Sequence, residues 1–156
     1  MVEQTVIDEF LGEKRIAMVG VSRNARDFSR MLFRAFQKHG YDMVPVNPRA
    51  DEMEGVQAFE RIGGVNPPVG AALLMTPRKG CEALLAECAE AGVKRVWLYG
   101  FNGPSAGTKA AEDFCAEHGM SLVPGYCPMM FLPNPGPLHG SHRLFLRLIG
   151  KQPRTA

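Results

Sequence analysis

Residues 16–24 have the residue types of a phosphate-binding site. An apolar run, Ile16-Ala17-Met18-Val19, is followed by Gly20, a short polar loop and the start of a helical pattern. In α/β proteins such a junction binds phosphate, because glycine permits a tight turn and the next helix begins with free backbone N–H groups that attract anions. The sequence therefore predicts an anion site formed by Gly20-Val21-Ser22-Arg23-Asn24, with the Ser22 hydroxyl and the backbone N–H groups around Arg23 and Asn24 as donors.

Two further polar turns follow apolar runs that are predicted to be strands. They are Asn47-Pro48-Arg49 and Thr76-Pro77-Arg78, the second continued by Lys79. In an open parallel sheet, ligands bind beyond the carboxyl ends of the strands, where the winding direction reverses. The basic side chains of these two turns and of Arg23 therefore converge on one edge and suit a polyanionic ligand.

The same residues argue against NAD as the ligand. The dinucleotide fingerprint GxGxxG requires glycine at positions where this chain has Ser22 and Ala25. An NAD site also expects an acidic residue at the end of the second strand, and this chain has Asn47 there. NADP stays open as an alternative, because Arg49 could bind a 2′-phosphate.

Helical and strand patterns alternate along the chain, and three of the predicted helices end at a glycine that precedes an apolar strand, namely Gly40, Gly92 and Gly119. This alternation predicts a Rossmann-like, doubly wound α/β domain in which right-handed crossovers join parallel strands. We expect five strands in the order 3-2-1-4-5, with helices on both faces. The predicted strands are 15–19, 41–46, 69–75, 93–99 and 120–123, and the predicted helices between them are 26–39, a helix opened by Thr76-Pro77-Arg78, and 106–118.

The helix predicted over 26–39 has an apolar face and a basic face. The apolar face, expected to be buried, consists of Phe28, Met31, Leu32, Ala35 and Phe36. The basic face consists of Arg26, Arg30, Arg34 and Lys38. Because the formal net charge of the chain is only +2, this stripe is interpreted as a solvated face rather than as a nucleic-acid surface.

The remaining segments are expected to belong to the same single domain, 1–156. A short amphipathic helix lies within 1–13, and a C-terminal extension, 133–156, has a short helix at 138–149. Either could cover the domain or contact a second copy or another protein. Residues 51–62 are ambiguous and could form one or two helical turns.

The composition is that of a globular protein, with 156 residues of which 46% are apolar. The longest apolar run, 69–75, is too short to span a bilayer. The first ten residues have no basic n-region, so no secretory signal is predicted, and the four cysteines show no CxxC spacing. These features favour a cytoplasmic protein without membrane or nucleic-acid partners.

Three other chemistries have partial signals in the sequence. Ser22 resembles a GxSxG nucleophile, but Asn24 replaces the last glycine and no downstream acid–histidine pair is evident. His139 and His142 have helical spacing for a metal but no matching third ligand. Cys127 follows the fifth strand, where a lowered pKa would make a thiolate capable of a disulfide with a thiol ligand, although a buried inert cysteine is the simpler interpretation.

The turns together resemble those of small stand-alone CoA-binding proteins, whose fold matches the N-terminal domain of the succinyl-CoA synthetase alpha subunit. The resemblance covers roughly residues 12–132. It rests on Gly20-Val21-Ser22-Arg23-Asn24, Val46-Asn47-Pro48-Arg49, Thr76-Pro77 and Cys127-Pro128-Met129. It implies that the first loop binds a phosphate of coenzyme A, that the second and third turns flank adenosine and pyrophosphate, and that Cys127 and Met129 line the deeper end of the cleft.

The resemblance does not imply synthetase activity. The synthetase has its phosphorylated histidine in a second domain for which this chain has no room, and Gly100-Phe101-Asn102 differs from its acidic turn. With no Asp, Glu or His at a predicted strand end, only Tyr99, Tyr126 and Cys127 remain as proton-transfer groups. The sequence therefore favours a binding or accessory protein for coenzyme A or an acyl-CoA, with an NADP-dependent enzyme or a Cys127 redox module as alternatives.

Overall fold

Five parallel strands form the centre of the protein. The computed structural model describes residues 4–75, 81–100 and 108–133 and the single positions 144 and 148. Two very short strands, β3 and β4, pair with each other as an antiparallel hairpin. The strands are β1 (Arg15–Val19), β2 (Asp42–Val46), β3 (Glu52–Met53), β4 (Val56–Gln57), β5 (Ala71–Leu74), β6 (Arg95–Tyr99) and β7 (Ser121–Tyr126).

Helices cover both faces of this sheet. Successive side chains of β1 point to opposite faces, so that Ile16 and Met18 belong to one apolar cluster while Ala17 and Val19 belong to the other. A sheet buried on both sides needs such continuous apolar strands, which the sequence provides. The helices are α1 (Gln4–Gly12), α2 (Phe28–Lys38), α3 (Cys81–Glu90) and α4 (Thr108–Glu117).

The first pair of helices, α1 and α2, packs on one face, and α3 and α4 pack on the other. Ile7 and Phe10 of α1 are 0% and 1% exposed, and the Phe10 ring meets the Trp97 ring edge-on at 5.2 Å. The helix α1 therefore covers the domain, which is one of the two roles that the sequence left open for it.

The buried face of α2 is rotated from the predicted one. Ser29, Leu32, Phe33 and Phe36 are buried, whereas Met31 is 41% exposed. The prediction for Met31 was wrong because the buried stripe begins at a polar residue, Ser29, which a count of apolar positions passes over. Asp27 accepts a hydrogen bond from the Ser29 backbone N–H and starts the helix at Phe28.

The fold class is confirmed, but the strand order is not the predicted one. The observed order is β2-β1-β5-β6-β7, so the third long strand, β5, lies between the first and fourth rather than at the edge. The outer edge of β2 is already occupied, because the Phe59 N–H donates to Pro45 O and the Asn47 N–H donates to Phe59 O, both at 2.9 Å. All four residues of β5 are at most 1% exposed, as a central strand requires.

The ambiguous segment 51–62 contains no α-helical turn. It forms the β3–β4 hairpin and then enters a 3-10 turn at Ile62–Gly64. The predicted terminal helix, 138–149, lies outside the described residues except for Leu144 and Leu148. Both of these residues are helical and exposed. Among the described helices, none has the length and apolar character needed to cross a membrane.

Candidate functional site

The winding direction reverses between β1 and β5. The chain leaves β1 for β2 on one side and returns across β1 to β5 on the other, so the connections after β1 and β5 diverge. A crevice forms beyond strand ends at such a point. A cleft of about 290 Å³ lies beside the ends of β1 and β2, bordered by Gly20 and by the turn after β2. Its apolar lining consists of Val19, Val46, Ile62 and Leu84.

The loop after β1 is ordered by its own polar groups. Gly20 has a φ of 87°, a left-handed conformation that glycine adopts without steric cost. The Ser22 hydroxyl accepts from the Asn24 N–H at 3.1 Å, and the Asn24 side-chain oxygen accepts from the Arg26 N–H at 3.0 Å. Within the described part of the chain, the N–H groups of Arg23 and Ala25 have no acceptor. The loop therefore keeps two backbone donors for an anion.

Ser29, the second residue of α2, anchors this loop. Its hydroxyl accepts from the Ser22 N–H at 2.9 Å and donates to Asp27 Oδ1 at 2.5 Å. Hydrogen bonds from the Ser29 hydroxyl and then from its backbone hold the pKa of Asp27 below its ordinary value. The Ser22 N–H is thus used internally, which the sequence alone did not indicate.

Asn47 joins the second turn to the first loop. Its side-chain N–H donates to Val21 O at 2.7 Å, and its side-chain oxygen accepts from the Arg49 N–H at 2.8 Å. Gly20 is fixed to the same region, because its N–H donates to Val46 O at 3.2 Å. The structure therefore brings Gly20 and Asn47 together, and with Pro48 they line the cleft.

The predicted basic residues are only partly placed by the structure. Arg23 and Arg49 are exposed beside this edge, and neither guanidinium has a partner among the residues described. Thr76-Pro77-Arg78 and Lys79 lie outside the described residues. The described part of the predicted anion site thus consists of backbone donors flanked by two solvated cations.

Cys127 and Met129 lie away from the cleft. Cys127 is 0% exposed and belongs to the apolar cluster under α1 and α2, and Met129 packs against that cluster. Burial raises the pKa of the Cys127 thiol to about 11, against which the hydrogen bonds from the backbone of Met129 and Met130 act. This placement does not support a disulfide between Cys127 and a ligand.

The two tyrosines considered for proton transfer are also protonated at neutral pH. Burial, with a smaller contribution from Cys127, raises the pKa of Tyr99 to about 12. Tyr126 is 1% exposed, and burial raises its pKa as well. Neither phenol belongs to the lining of the cleft.

Two carboxylates at the cleft escaped the sequence analysis. Glu60 and Glu87 line it together with Arg61. Glu60 and Arg61 come from the segment that was ambiguous, and Glu87 follows the cleft residue Leu84 by three positions on α3, so that both face the cleft. The helical spacing of Glu87 from Leu84 was the signal available in the sequence.

The geometry gives no support to hydrolase or metal chemistry. The Ser22 hydroxyl is engaged with the Asn24 N–H, and His139 and His142 lie outside the described residues. Across the ranges the structure covers, no three His, Cys, Asp or Glu side chains are grouped to hold a metal. What the described site can do is bind an anion beside a small, partly apolar cleft.

The chain is similar in sequence to a protein family and to individual known proteins. Residues 14–133 match the family model of a CoA binding domain. The alpha subunit of the ADP-forming acetate–CoA ligase II of Pyrococcus furiosus is 26% identical over 129 residues, which are 78% of this chain and 28% of that protein. The uncharacterized protein YneT of Bacillus subtilis is 41% identical over 56 residues, 36% of this chain and 42% of that protein. The matched part is thus less than half the length of either relative.

Solved structures share the fold. A hypothetical protein from Pyrococcus horikoshii OT3 superposes with a TM-score of 0.71 at 22% identity, covering 83% of this chain and 88% of that one. A conserved hypothetical protein from Pyrococcus furiosus superposes with a TM-score of 0.66 at 26% identity, covering 76% and 99%. The first likeness shows the fold alone, whereas the family model covers most of the sequence. The resemblance inferred from the turns is confirmed, and the chain belongs to the CoA binding domain family.

Proposed function

We propose that this chain binds coenzyme A, free or acylated, at the carboxyl edge of its sheet, as a binding or accessory protein rather than as a catalyst. One observation carries the proposal. The loop at Gly20-Val21-Ser22-Arg23-Asn24 is tied by Asn47 to the neighbouring turn, at the point where the winding reverses and the cleft opens. The family match supports coenzyme A as the ligand.

The donors at this edge suit the phosphates of coenzyme A. The N–H groups of Arg23 and Ala25, which have no acceptor among the described residues, lie on the N-terminal side of α2, whose dipole favours negative charge. The exposed guanidinium groups of Arg23 and Arg49 add positive charge that attracts a solvated phosphate. We assign the phosphates of the ligand to this rim, formed by the loop after β1 and the turn after β2.

The cleft itself suits an uncharged part of the ligand. Its apolar lining can pack against a flat ring such as adenine, while the carboxylates of Glu60 and Glu87 would repel a phosphate placed between them. We therefore expect the charged part of the ligand to lie at the rim and an uncharged part to lie in the cleft.

The groups near the ligand favour binding over reaction. Cys127 and Tyr99 lie outside the cleft lining and have raised pKa values, so they are poor nucleophiles and bases at neutral pH. Glu60 and Glu87 are the acids that any reaction in the described cleft would have to use. Incubation of acetyl-CoA with the protein should release no free thiol above the rate in buffer, and release that disappears in Glu60→Gln or Glu87→Gln would show catalysis instead.

The decisive experiment compares ligands by thermal shift and calorimetry. We expect coenzyme A and acetyl-CoA to stabilise the protein, by about 2.7 kcal/mol at a concentration 100 times Kd, and NAD and NADP to have no effect. Stabilisation by NADP alone would overturn the proposal and favour an oxidoreductase with Arg49 on the 2′-phosphate.

A pair of glycine variants tests the location of the site. Gly20 and Gly119 both have positive φ, 87° and 64°, so alanine at either position strains the backbone by about 1–2 kcal/mol. Gly20 borders the cleft, whereas Gly119 precedes β7 at the opposite edge of the sheet. Gly20→Ala should weaken coenzyme A binding and Gly119→Ala should not; equal affinities in the two variants would contradict this placement.

A further inference from the structure

We propose that Glu54 is a positioning residue for the anion-binding loop, acting through Arg30 and Arg34. This inference rests on the proposed function, because it concerns the loop to which we assign the ligand's phosphates. Glu54 lies in the β3–β4 hairpin and is not part of the cleft lining. Its role follows from the hydrogen bonds that the two arginines donate to backbone carbonyls after β1.

Arg30 joins the hairpin to the loop. Its Nε donates to Glu54 Oε1 at 2.7 Å, and its Nη1 donates to the carbonyl oxygens of Ser22 at 3.2 Å and Arg23 at 3.4 Å. Its side chain is only 12% exposed, and its contacts with Glu54 and with Ser22 O are partly buried. The expectation that Arg30 lies on a solvated face was wrong, because the carboxylate that pairs with it comes from a segment 24 residues away.

Arg34 makes the second connection. Its Nη1 donates to Glu54 Oε1 at 2.8 Å and to the Ala25 carbonyl oxygen at 3.2 Å. One carboxylate, 16% exposed, therefore fixes two guanidinium groups that together engage three carbonyls between Ser22 and Ala25. Two guanidinium charges against one carboxylate leave a net charge of +1, which is compatible with an anion nearby.

Holding these carbonyls orients the loop's N–H groups. The peptide bond is planar and trans, so the Ser22 C=O and the Arg23 N–H point in opposite directions. With the Ser22 carbonyl turned toward Arg30, the Arg23 N–H is turned away from it, and this is one of the two loop donors without an acceptor in the described chain. Arg30 thus sets the direction of a donor that the ligand would use.

The backbone of Glu54 indicates that its side chain matters. Glu54 has a φ of 51° and Gly55 a φ of 74°, the pair of positive values found in a two-residue hairpin turn. Asn or Gly suits the first position of such a turn better than Glu, which adopts positive φ at a steric cost. A residue that is unfavourable for the turn is thus present where its carboxylate reaches two arginines. Burial raises the pKa of Glu54, but the hydrogen bonds and charges of Arg30 and Arg34 outweigh burial and hold it below its ordinary value, so the carboxylate is ionised at neutral pH.

The test combines residue-resolved amide hydrogen exchange with calorimetric titration of coenzyme A. Glu54→Gln removes the charge, and Glu54→Asn removes it while supplying a residue that suits the turn, which protects the fold. The matched control is Glu13→Gln, which breaks the pair between Arg95 Nη1 and Glu13 Oε1, 2.7 Å, beside the amino ends of the strands.

In both Glu54 variants we expect the N–H groups of Ser22, Asn24 and Arg26 to exchange about tenfold faster and coenzyme A to bind about tenfold more weakly, as loss of a charged hydrogen bond predicts. Glu13→Gln should change neither quantity. Unchanged exchange in a folded Glu54 variant, or faster exchange without loss of affinity, would overturn the positioning role. If the unmodified protein itself fails to bind coenzyme A, the proposed function fails, whereas the exchange rates still decide whether Glu54 orders the loop.

Discussion

Replacing Gly100 with alanine should destabilise the protein through a backbone clash. An ideal Cβ at Gly100 would lie 2.5 Å from the Cα and from the carbonyl oxygen of Gly125. Both atoms are backbone and cannot rotate away, so β6 and β7 would have to separate by about 0.9 Å, from 2.5 Å to the 3.4 Å at which ordinary contact begins. Separation would also strain the bond from the Gly100 N–H to Tyr126 O, 3.2 Å in the structure.

The expected size of the effect follows from these contacts. Overpacking of this kind costs about 1–3 kcal/mol, and a clash with backbone alone belongs at the upper end of that range. For a chain of this length each kcal/mol lowers Tm by about 2–4 °C, so Gly100→Ala should lower Tm by roughly 6–12 °C.

Thermal and urea unfolding of Gly100→Ala and Gly63→Ala provide the measurement. Gly63 is the matched control, because a Cβ there meets nothing within 4 Å and its φ is not in the left-handed region. Gly63→Ala should be neutral or stabilise by a few tenths of a kcal/mol, as a smaller unfolded-state entropy predicts. A loss below about 0.5 kcal/mol in Gly100→Ala, within the range of an ordinary surface change, would refute the close approach of β6 and β7.

Three further outcomes are expected. Asn47→Asp keeps the acceptor for the Arg49 N–H but places an oxygen against Val21 O, so the free energy of unfolding in urea should fall by about 1–2 kcal/mol; Asn47→Asp as stable as the unmodified protein would show that this bond is not formed. The lowered pKa of Glu54 contributes stability that is present above about pH 4.5 and is lost as the pH falls through the folded-state pKa, so Glu54→Gln should flatten the acid side of a stability-versus-pH curve; parallel curves would contradict the ion pairs. Cys127 should react slowly with iodoacetamide at pH 7.5 in the folded protein and rapidly in urea, because burial keeps its thiol protonated; equal rates would show an accessible thiol.

Strand positions were predictable because they depend on local pattern. Each long strand is an apolar run bounded by glycine or a polar turn, and the structure has a strand within or overlapping each predicted range. The order of strands was not predictable in the same way, because it depends on which segment occupies the outer edge of β2. Phe59 takes that edge through two backbone hydrogen bonds, and backbone pairing leaves no mark in residue type.

The same distinction separates the site residues that could be predicted from the sequence from those that could not. Gly20 and Asn47 follow strands directly, so their positions at the carboxyl edge could be read from the sequence, and both line the cleft. Glu54 and Glu60 come from the segment without a repeating pattern, and only the fold shows what they contact. For Cys127 the simpler interpretation, a buried cysteine, agrees with the structure, because its side chain points into the core. Proximity to a strand end does not specify the face toward which a side chain points.

The helix α1 is part of the core and therefore limits how far the domain can be shortened. The family match begins at residue 14, after this helix has ended at Gly12, yet Ile7 and Phe10 are core residues and the Tyr41 hydroxyl donates to Leu11 O at 2.8 Å. The boundary of sequence similarity and the boundary of the folding unit therefore differ. A protein shortened to 14–133 would expose the indole of Trp97 to water and should bind a hydrophobic dye or aggregate, so α1 belongs in any fragment used to measure ligand binding.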